Sequence, residues 1–382
     1  MIVTHKIELK PNNKQKGYFS KACGVARFSY NWALNRWNES YQEGKKTSEI
    51  SLRRELNAIK RIEYPWMLEV TKTAPQQAVK NLGSAFKRFF NKQGGYPKFK
   101  KKGMHDSFRA DNGPQEKGRD ALKIVGKKIQ LPVLGWVRLK EELRYVGQIK
   151  SVTIVRKACK WYAAIVIDTE KRPHVRKNQG MVGIDLGINK LATLSDGTVI
   201  QGPKAYKSLL KTLRLRSKSL SRKKIGSKNR QKDKMHLARL HMRISNIRND
   251  HLHKLTTYLV LNYTKICIED LNISGMAANR RLARHIMDQA FYTFRRQLTY
   301  KSEIYGSRVY IADRFYPSSK LCCSCGIKNK DLKLGERRWR CVCGIKHDRD
   351  INAAKNLENL LIKGTVSSTG SMVKTIKACG DN

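Results

Sequence analysis

Between residues 2 and 9 apolar and polar side chains alternate, the period of a half-buried strand. From about residue 15 to residue 90 the spacing turns helical: Ala78, Leu82, Ala85, Phe86 and Phe89 recur at steps of three and four, with Lys80, Lys87 and Arg88 interleaved. The pattern predicts a basic helical lobe. Residues 94 to about 114 are rich in Gly, Lys and aromatic side chains, which break helices and offer stacking faces beside phosphate-binding charges. Short alternating runs return from 121 to 168, among them 151–155 and 161–167, and predict a small β-barrel completed by the N-terminal strand.

A linker rich in Lys, Arg, Pro and Gly over 171–180 precedes an α/β pattern that begins at Met181, which places the main domain boundary there. Strands are predicted at 182–185 and 191–195, and Asp196-Gly197 forms a hairpin turn into Val199-Ile200. Three antiparallel strands of this kind open an RNase H-like sheet. Two long helices follow, roughly 205–223 and 231–261, the second carrying Leu237, Leu240, Ile244, Ile247 and Leu255 on one stripe. A further strand leads into Glu269 and a helix follows Asp350 over about 351–360.

Charge narrows the class of partner. Across 382 residues, 79 Lys and Arg face 30 Asp and Glu, a formal net charge of +49, the sign of a surface that tracks phosphate backbones. Between Lys207 and Arg248 stand fifteen Lys or Arg and one acid, Asp233, so the helix pair would repel itself without a polyanion. Arg222, Lys223, Lys224 and Arg230 are the candidate contacts there. The N-terminus has no apolar leader, and no run approaches the roughly 18 apolar residues of a membrane span. A cytoplasmic protein acting on nucleic acid is expected, with no membrane and no small-molecule substrate.

Three acids carry the candidate chemistry. Asp185 lies in Val-Gly-Ile-Asp-Leu-Gly, Glu269 in Ile-Cys-Ile-Glu-Asp and Asp350 in His-Asp-Arg-Asp-Ile-Asn-Ala-Ala. Each has a structural alternative: Asp185 could end a strand, Glu269 could pair with an arginine, and Asp350 could cap the helix that follows it. An unpaired carboxylate closing an apolar strand nevertheless costs several kcal/mol unless a cation or donors meet it. Brought together, the three would bind two Mg²⁺ about 4 Å apart, one lowering the pKa of an attacking water and the other stabilising the leaving oxygen, with Asp185 bridging. Asp270 competes for the second position and Asp348 for the third. Sugar kinases and actin-like ATPases also place an Asp before a Gly-containing turn, but no Gly-rich nucleotide loop follows Gly275. Transposases with a related fold order their acids Asp, Asp, Glu; the order Asp, Glu, Asp here points to the RuvC type.

Five of nine cysteines crowd into one stretch. Cys322-x-x-Cys325 and Cys341-Val342-Cys343, fifteen residues apart, fit a tetrahedral Cys₄ Zn²⁺ site in a reducing compartment, with Cys323 a spare thiol. Apart from Leu332, Leu334 and Trp339 the segment has few apolar residues, so metal ligation is its source of order. Four thiolates leave no open position, and the site is read as structural.

Together with Phe-Tyr-Pro-Ser-Ser-Lys at 315–320 and His-Asp-Arg-Asp-Ile-Asn-Ala-Ala-Lys-Asn at 347–356, these signatures closely resemble the TnpB family of insertion-sequence proteins, which are similar to type V CRISPR effector nucleases. The resemblance is specific from Met181 to about Leu361 and looser before Asp168. It implies a wedge-like β-barrel (1–14 and 115–170), a helical recognition lobe (15–114) and a RuvC-like α/β nuclease domain (181–382). The last would hold a basic helical insertion (205–261), a zinc ribbon (318–346) and a flexible tail (364–382). It further implies a monomer on a guide RNA, directed to double-stranded DNA beside a short flanking motif. Carried over by position, the catalytic set is Asp185, Glu269 and Asp350, and motif contacts fall near Lys72, Gln76 and Gln77. A non-cleaving nucleic-acid-binding regulator of transposition is the alternative.

Overall fold

The computed structural model describes residues 1–112, 121–170, 180–333 and 335–364. The tail beyond 364, the linker over 171–179 and Leu334 lie outside the described residues. The chain divides into two compact units, Met1–Lys171 and Arg172–Asn382.

The first unit begins with β1 (Ile2–Lys10), followed by α1 (Asn13–Gln42), α2 (Glu49–Ile59) and α3 (Thr73–Phe90). Helix α1 starts where Asn12 and Gln15 close a capping box, each side chain accepting from the other's backbone N–H at 2.9 and 3.0 Å. Then come β2 (Ser107–Asp111), β3 (Lys123–Val125), β4 (Lys128–Leu131), β5 (Gly135–Leu139), β6 (Gln148–Lys157) and β7 (Lys160–Asp168). The strands form one antiparallel sheet in the order β2-β6-β7-β1-β5-β4-β3.

Two expectations change here. The sheet is open: among the described residues the outer strands β2 and β3 do not pair, so no closed barrel forms. Helices cover its apolar face instead, with Phe19 of α1 fully buried against Phe108 and Trp161, ring centroids 5.9 and 5.1 Å away. A sheet whose face is sealed by helices need not curl on itself to bury that face. The Gly- and Lys-rich stretch also supplies a strand, β2, whose Phe108 and Ala110 point inward between polar neighbours. Two apolar residues in five are too weak an alternation to announce it.

The second unit opens with β8 (Gly180–Leu186), β9 (Ala192–Leu194) and β10 (Val199–Ile200), the antiparallel trio the pattern predicts, with Gly197 at φ +91° in the hairpin turn. Helices α4 (Ala205–Ser221) and α5 (Lys228–Asn262) lead to β11 (Tyr263–Ile268). After α6 (Ile273–Ala278), α7 (Ala283–Gln289) and α8 (Phe291–Tyr305) comes β12 (Arg308–Ile311). A small hairpin, β13 (Arg338–Arg340) with β14 (Lys346–Asp348), runs into α9 (Arg349–Ile362). The sheet order is β10-β9-β8-β11-β12, and β8, β11 and β12 run parallel.

Helix α5 serves two cores. Its first half packs Leu237, Leu240, Ile244 and Ile247 with α4, while Leu252, Leu255 and Leu259 join α8 against the sheet. Along β11 the alternation sorts the faces: Ile266 and Ile268 enter that core, and Cys267 turns the other way to meet Leu357 and Leu361 of α9. Helix α9 therefore covers the opposite face. Among the described residues no helix is long and apolar enough to cross a membrane.

Candidate active site and metal-binding cluster

Parallel pairing sets the first two acids side by side. Ile184 of β8 is in register with Ile268 of β11, so Asp185 and Glu269 follow at neighbouring strand ends. By the two-residue period they share the sides of Gly183 and Cys267, the face covered by α9. At Gly183 the α9 backbone touches the sheet: a Cβ there would lie 2.0 Å from the Ala354 carbonyl oxygen and 2.5 Å from the Glu358 nitrogen. The absence of a side chain at Gly183 thus fixes how close α9, with Asp350 in its first turn, comes to the strand of Asp185.

The three acids feel one another. The Asp185 carboxyl is pushed well above the ordinary carboxylate range, first by burial and then by the charges of Glu269 and Asp350, with Arg349 and Arg337 partly offsetting them. Burial raises Glu269 as well, against a hydrogen bond from Ser318 and the nearby charge of Arg349. The Ser318 hydroxyl donates to Glu269 Oε1, while Asp350 meets Arg337 at 3.2 Å and Lys190 at 3.4 Å. Among the described residues the group of acidic, Cys or His side chains drawn together as a metal-holding cluster is the cysteine set, and the three acids share an electrostatic field. Bare carboxylates repel, and the cations around them take up part of the charge. Beside Glu269 opens a cleft of about 300 Å³ walled by Ser318, Lys320, Arg314 and Arg349.

The competing acids are engaged elsewhere. Asp348, not Asp350, is the N-cap of α9, accepting from the backbone N–H of Asp350 and of Ile351. Asp270 pairs with Arg295 at 2.6 Å and Arg314 at 2.7 Å.

Cys322, Cys325, Cys341 and Cys343 bring their sulfur atoms within 4.8 Å of one another, a cluster able to hold a metal ion. Burial opposes ionisation of Cys322, but backbone N–H groups of Cys325 and Ser324 and the neighbouring thiols outweigh it and bring its pKa to about 6. The donor set suits a thiophilic cation. His347 was not anticipated: its Nε2 lies 3.1 Å from Cys322 Sγ and its ring packs on Trp339, centroids 4.7 Å apart. Nor were three asparagines of α9 that hold the first knuckle. Asn352 and Asn356 both donate to the Leu321 carbonyl, Asn356 also to that of Ser318, and Asn359 to that of Cys323, whose N–H donates to Asn352. Their spacing of four and three, which puts them on one helix face, was the available signal.

The nucleic-acid candidates differ in freedom. Lys72 is exposed just before α3, and Gln76 and Gln77 are half-buried in its first turns, Gln77 donating to Asn81. Pro75 sits where the helix needs no N–H, so it does not break α3. Arg222 and Lys224 are exposed, but Lys223 pairs with Asp233 at 3.1 Å and Arg230 donates to the carbonyls of Leu220 and Lys223 at 2.8 Å each. Arg230 clasps the α4–α5 turn.

Comparison with known proteins agrees along the whole chain. Residues 164–280 match a family described as "Probable transposase", 291–357 a "Cas12f1-like, TNB domain" and 1–46 a "Helix-turn-helix domain". The last segment folds here as β1 and one continuous helix. A relative from Escherichia coli (strain K12), named "Putative RNA-guided DNA endonuclease InsQ", is 35% identical over 97% of this chain and 94% of its own. One from Streptomyces pristinaespiralis, "Putative RNA-guided DNA endonuclease", is 34% identical over 98% and 90%. In fold the chain is similar to the protein of a solved Cas12f1-sgRNA-target DNA complex, TM-score 0.62 at 13% identity, over 94% of this chain and 99% of that one. With relatives this similar aligned over nearly their full length, the chain belongs to the TnpB/Cas12f1-like family of RuvC-type RNA-guided nucleases.

Proposed function

We propose that the protein is an RNA-guided DNA endonuclease of an insertion sequence, cutting double-stranded DNA beside a short flanking motif in the bacterial cytoplasm. The observation that carries this reading is the placement of Asp185 and Glu269 at neighbouring ends of a parallel strand pair, with the charge of Asp350 from α9 felt at Asp185. The relatives' names supply guidance by RNA and action on DNA.

The strand order β10-β9-β8-β11-β12, three antiparallel strands continued by two parallel ones, is that of an RNase H-like RuvC domain, here 181–382 with its ribbon at 318–346. Residues 1–14 and 115–170 serve as the wedge and 15–114 as the recognition lobe, with Lys72, Gln76 and Gln77 near the flanking motif. Arg222 and Lys224 face nucleic acid, with Lys223 and Arg230 shaping the turn that presents them. Two Mg²⁺ bound among the three acids would supply water activation and charge neutralisation at the leaving oxygen. Ser318 orients Glu269, Lys190 and Arg337 hold Asp350 until a cation replaces them, and Gly183 keeps α9 close enough for Asp350 to face Asp185. One Zn²⁺ on Cys322, Cys325, Cys341 and Cys343 would fix the ribbon.

The test is cleavage of a matched target by the protein purified with its co-expressed RNA. Mg²⁺-dependent scission abolished by Asp185→Ala is expected. Guided binding without scission would instead make the protein a regulator that does not cut.

A further inference from the structure

On the solvent face of the first unit's sheet, three cations stand in one cross-strand row. Lys10 of β1 is in register with Arg138 of β5, which is in register with Lys128 of β4. All three are exposed, and no ion pair to a carboxylate is recorded for any of them among the described residues. Like charges directly opposite one another destabilise a sheet. The same sheet shows the ordinary remedy two residues away on β1, where Glu8 pairs with Lys160 at 2.8 Å and Lys140 at 3.4 Å. Other like-charged cross-strand pairs occur, Lys157 with Lys160 and Lys265 with Arg308, but this row runs across three strands and Glu8 does not reach it.

Next to the row on the same face is Trp136, two residues before Arg138 and 44% exposed. An exposed aromatic face beside a row of cations is the combination that binds unpaired nucleotides, the ring stacking a base and the charges meeting phosphates. The Trp136 backbone is held: its carbonyl accepts from Gln15 Nε2 at 2.9 Å, and Gln15 is itself fixed in the capping box of α1. Trp136, Val125 and the three cations line a cleft of about 520 Å³.

We propose that this cleft is a nucleotide platform on which a base of a single-stranded segment of the protein's RNA stacks on Trp136 while successive phosphates lie along Lys10, Arg138 and Lys128. A duplex does not present a base face to a tryptophan without flipping, whereas an unpaired strand does. RNA is favoured over target DNA because a row of like charges weakens the sheet whenever it is empty. A resident strand removes that cost throughout the life of the complex, and a transient one does not. The assignment rests on the reading that the chain carries a guide RNA.

The experiment is ultraviolet cross-linking of the protein purified with its RNA, nuclease and trypsin digestion, and mass spectrometry of the peptide 129–138, which contains Trp136. A ribonucleotide adduct on Trp136 is expected. Trp136→Ala should weaken binding of the same purified RNA by about tenfold at every salt concentration, with Trp136→Phe retaining most of it. Replacing Lys10, Lys128 and Arg138 together by Gln should lower the slope of log affinity against log salt by about 2. Circular dichroism checks that each variant is folded. RNA that copurifies but cross-links only elsewhere, with Trp136→Ala binding unchanged, overturns the platform and leaves the guided-nuclease reading standing. A deoxyribonucleotide adduct seen only after target DNA is added overturns the RNA assignment. If no RNA copurifies, the guided reading itself fails, and the platform with it.

Discussion

Asp348 accepts hydrogen bonds from the backbone N–H groups of Asp350 and Ile351, at 3.1 and 3.2 Å, and so caps the helix in whose first turn Asp350 stands. Two acids of one Asp-Arg-Asp signature therefore do different work. Asp350→Asn is expected to lower the cleavage rate by roughly 10³-fold or more with little change in thermal stability. Asp348→Ala is expected to cost about 1 kcal/mol of stability while Mg²⁺-dependent cleavage persists. Equal loss of cleavage in both variants would contradict the division.

The same contrast holds at the second position. Asp270 is tied to Arg295 and Arg314, partly exposed pairs worth less than about 1 kcal/mol, whereas Glu269 faces Asp185 and takes the Ser318 hydroxyl. Glu269→Gln should abolish cleavage and Asp270→Asn should slow it only mildly, as measured by single-turnover kinetics on a matched target.

These pairs show how far the sequence was legible. The strands and their acids could be read because apolar runs end abruptly in a carboxylate, and the cysteine spacing announced its cluster. Which of two adjacent acids faces the site could not be read, since strand parity depends on where α9 packs, and that is set by a contact at Gly183 with residues more than 170 positions away. Closure of the first sheet was overestimated for a related reason: alternation shows that a face is buried, not whether helices or the sheet itself bury it. Nor does composition reveal that two carbonyls of the α4–α5 turn lie within reach of Arg230.

Gly183→Ala tests the strand–helix contact. The added methyl would collide with main-chain atoms of α9, which cannot swing aside as a side chain could. A loss of about 1–3 kcal/mol of stability is expected, accompanied by a fall in cleavage because Asp350 moves with its helix. Chemical denaturation and a cleavage assay on the same preparation check both parts.

A buried lysine gives a pH signature away from the acids. Lys301 of α8 donates to the His253 carbonyl and to the hydroxyls of Thr256 and Thr257, and burial pulls its pKa from 10.5 down to about 8. Folded protein therefore binds fewer protons here than unfolded protein between pH 8 and 10.5. The cost of burying the charge is full below pH 8 and is relieved as pH rises through that window. Relative to Lys301→Met, the parent protein should gain stability from pH 8 towards 10.5, as read by denaturation at several pH values.

Metal removal should be felt beyond the cysteines. About one Zn²⁺ per chain is expected, and Cys322→Ser or a strong chelator should disorder the ribbon. Because Ser318 and the knuckle share contacts with Asn356, the Glu269 partner should loosen as well. Hydrogen exchange at 315–325 and along α9 would report both, and protection unchanged along α9 would show that the two are uncoupled.

The asparagines of α9 grip the first knuckle through its main-chain carbonyls and one amide. Such a clamp is blind to spelling. Outside its sulfur ligands and Ser318, the loop is free to drift in sequence and be seated just the same, but a proline at position 323, lacking the amide that Asn352 receives, would not fit the clasp.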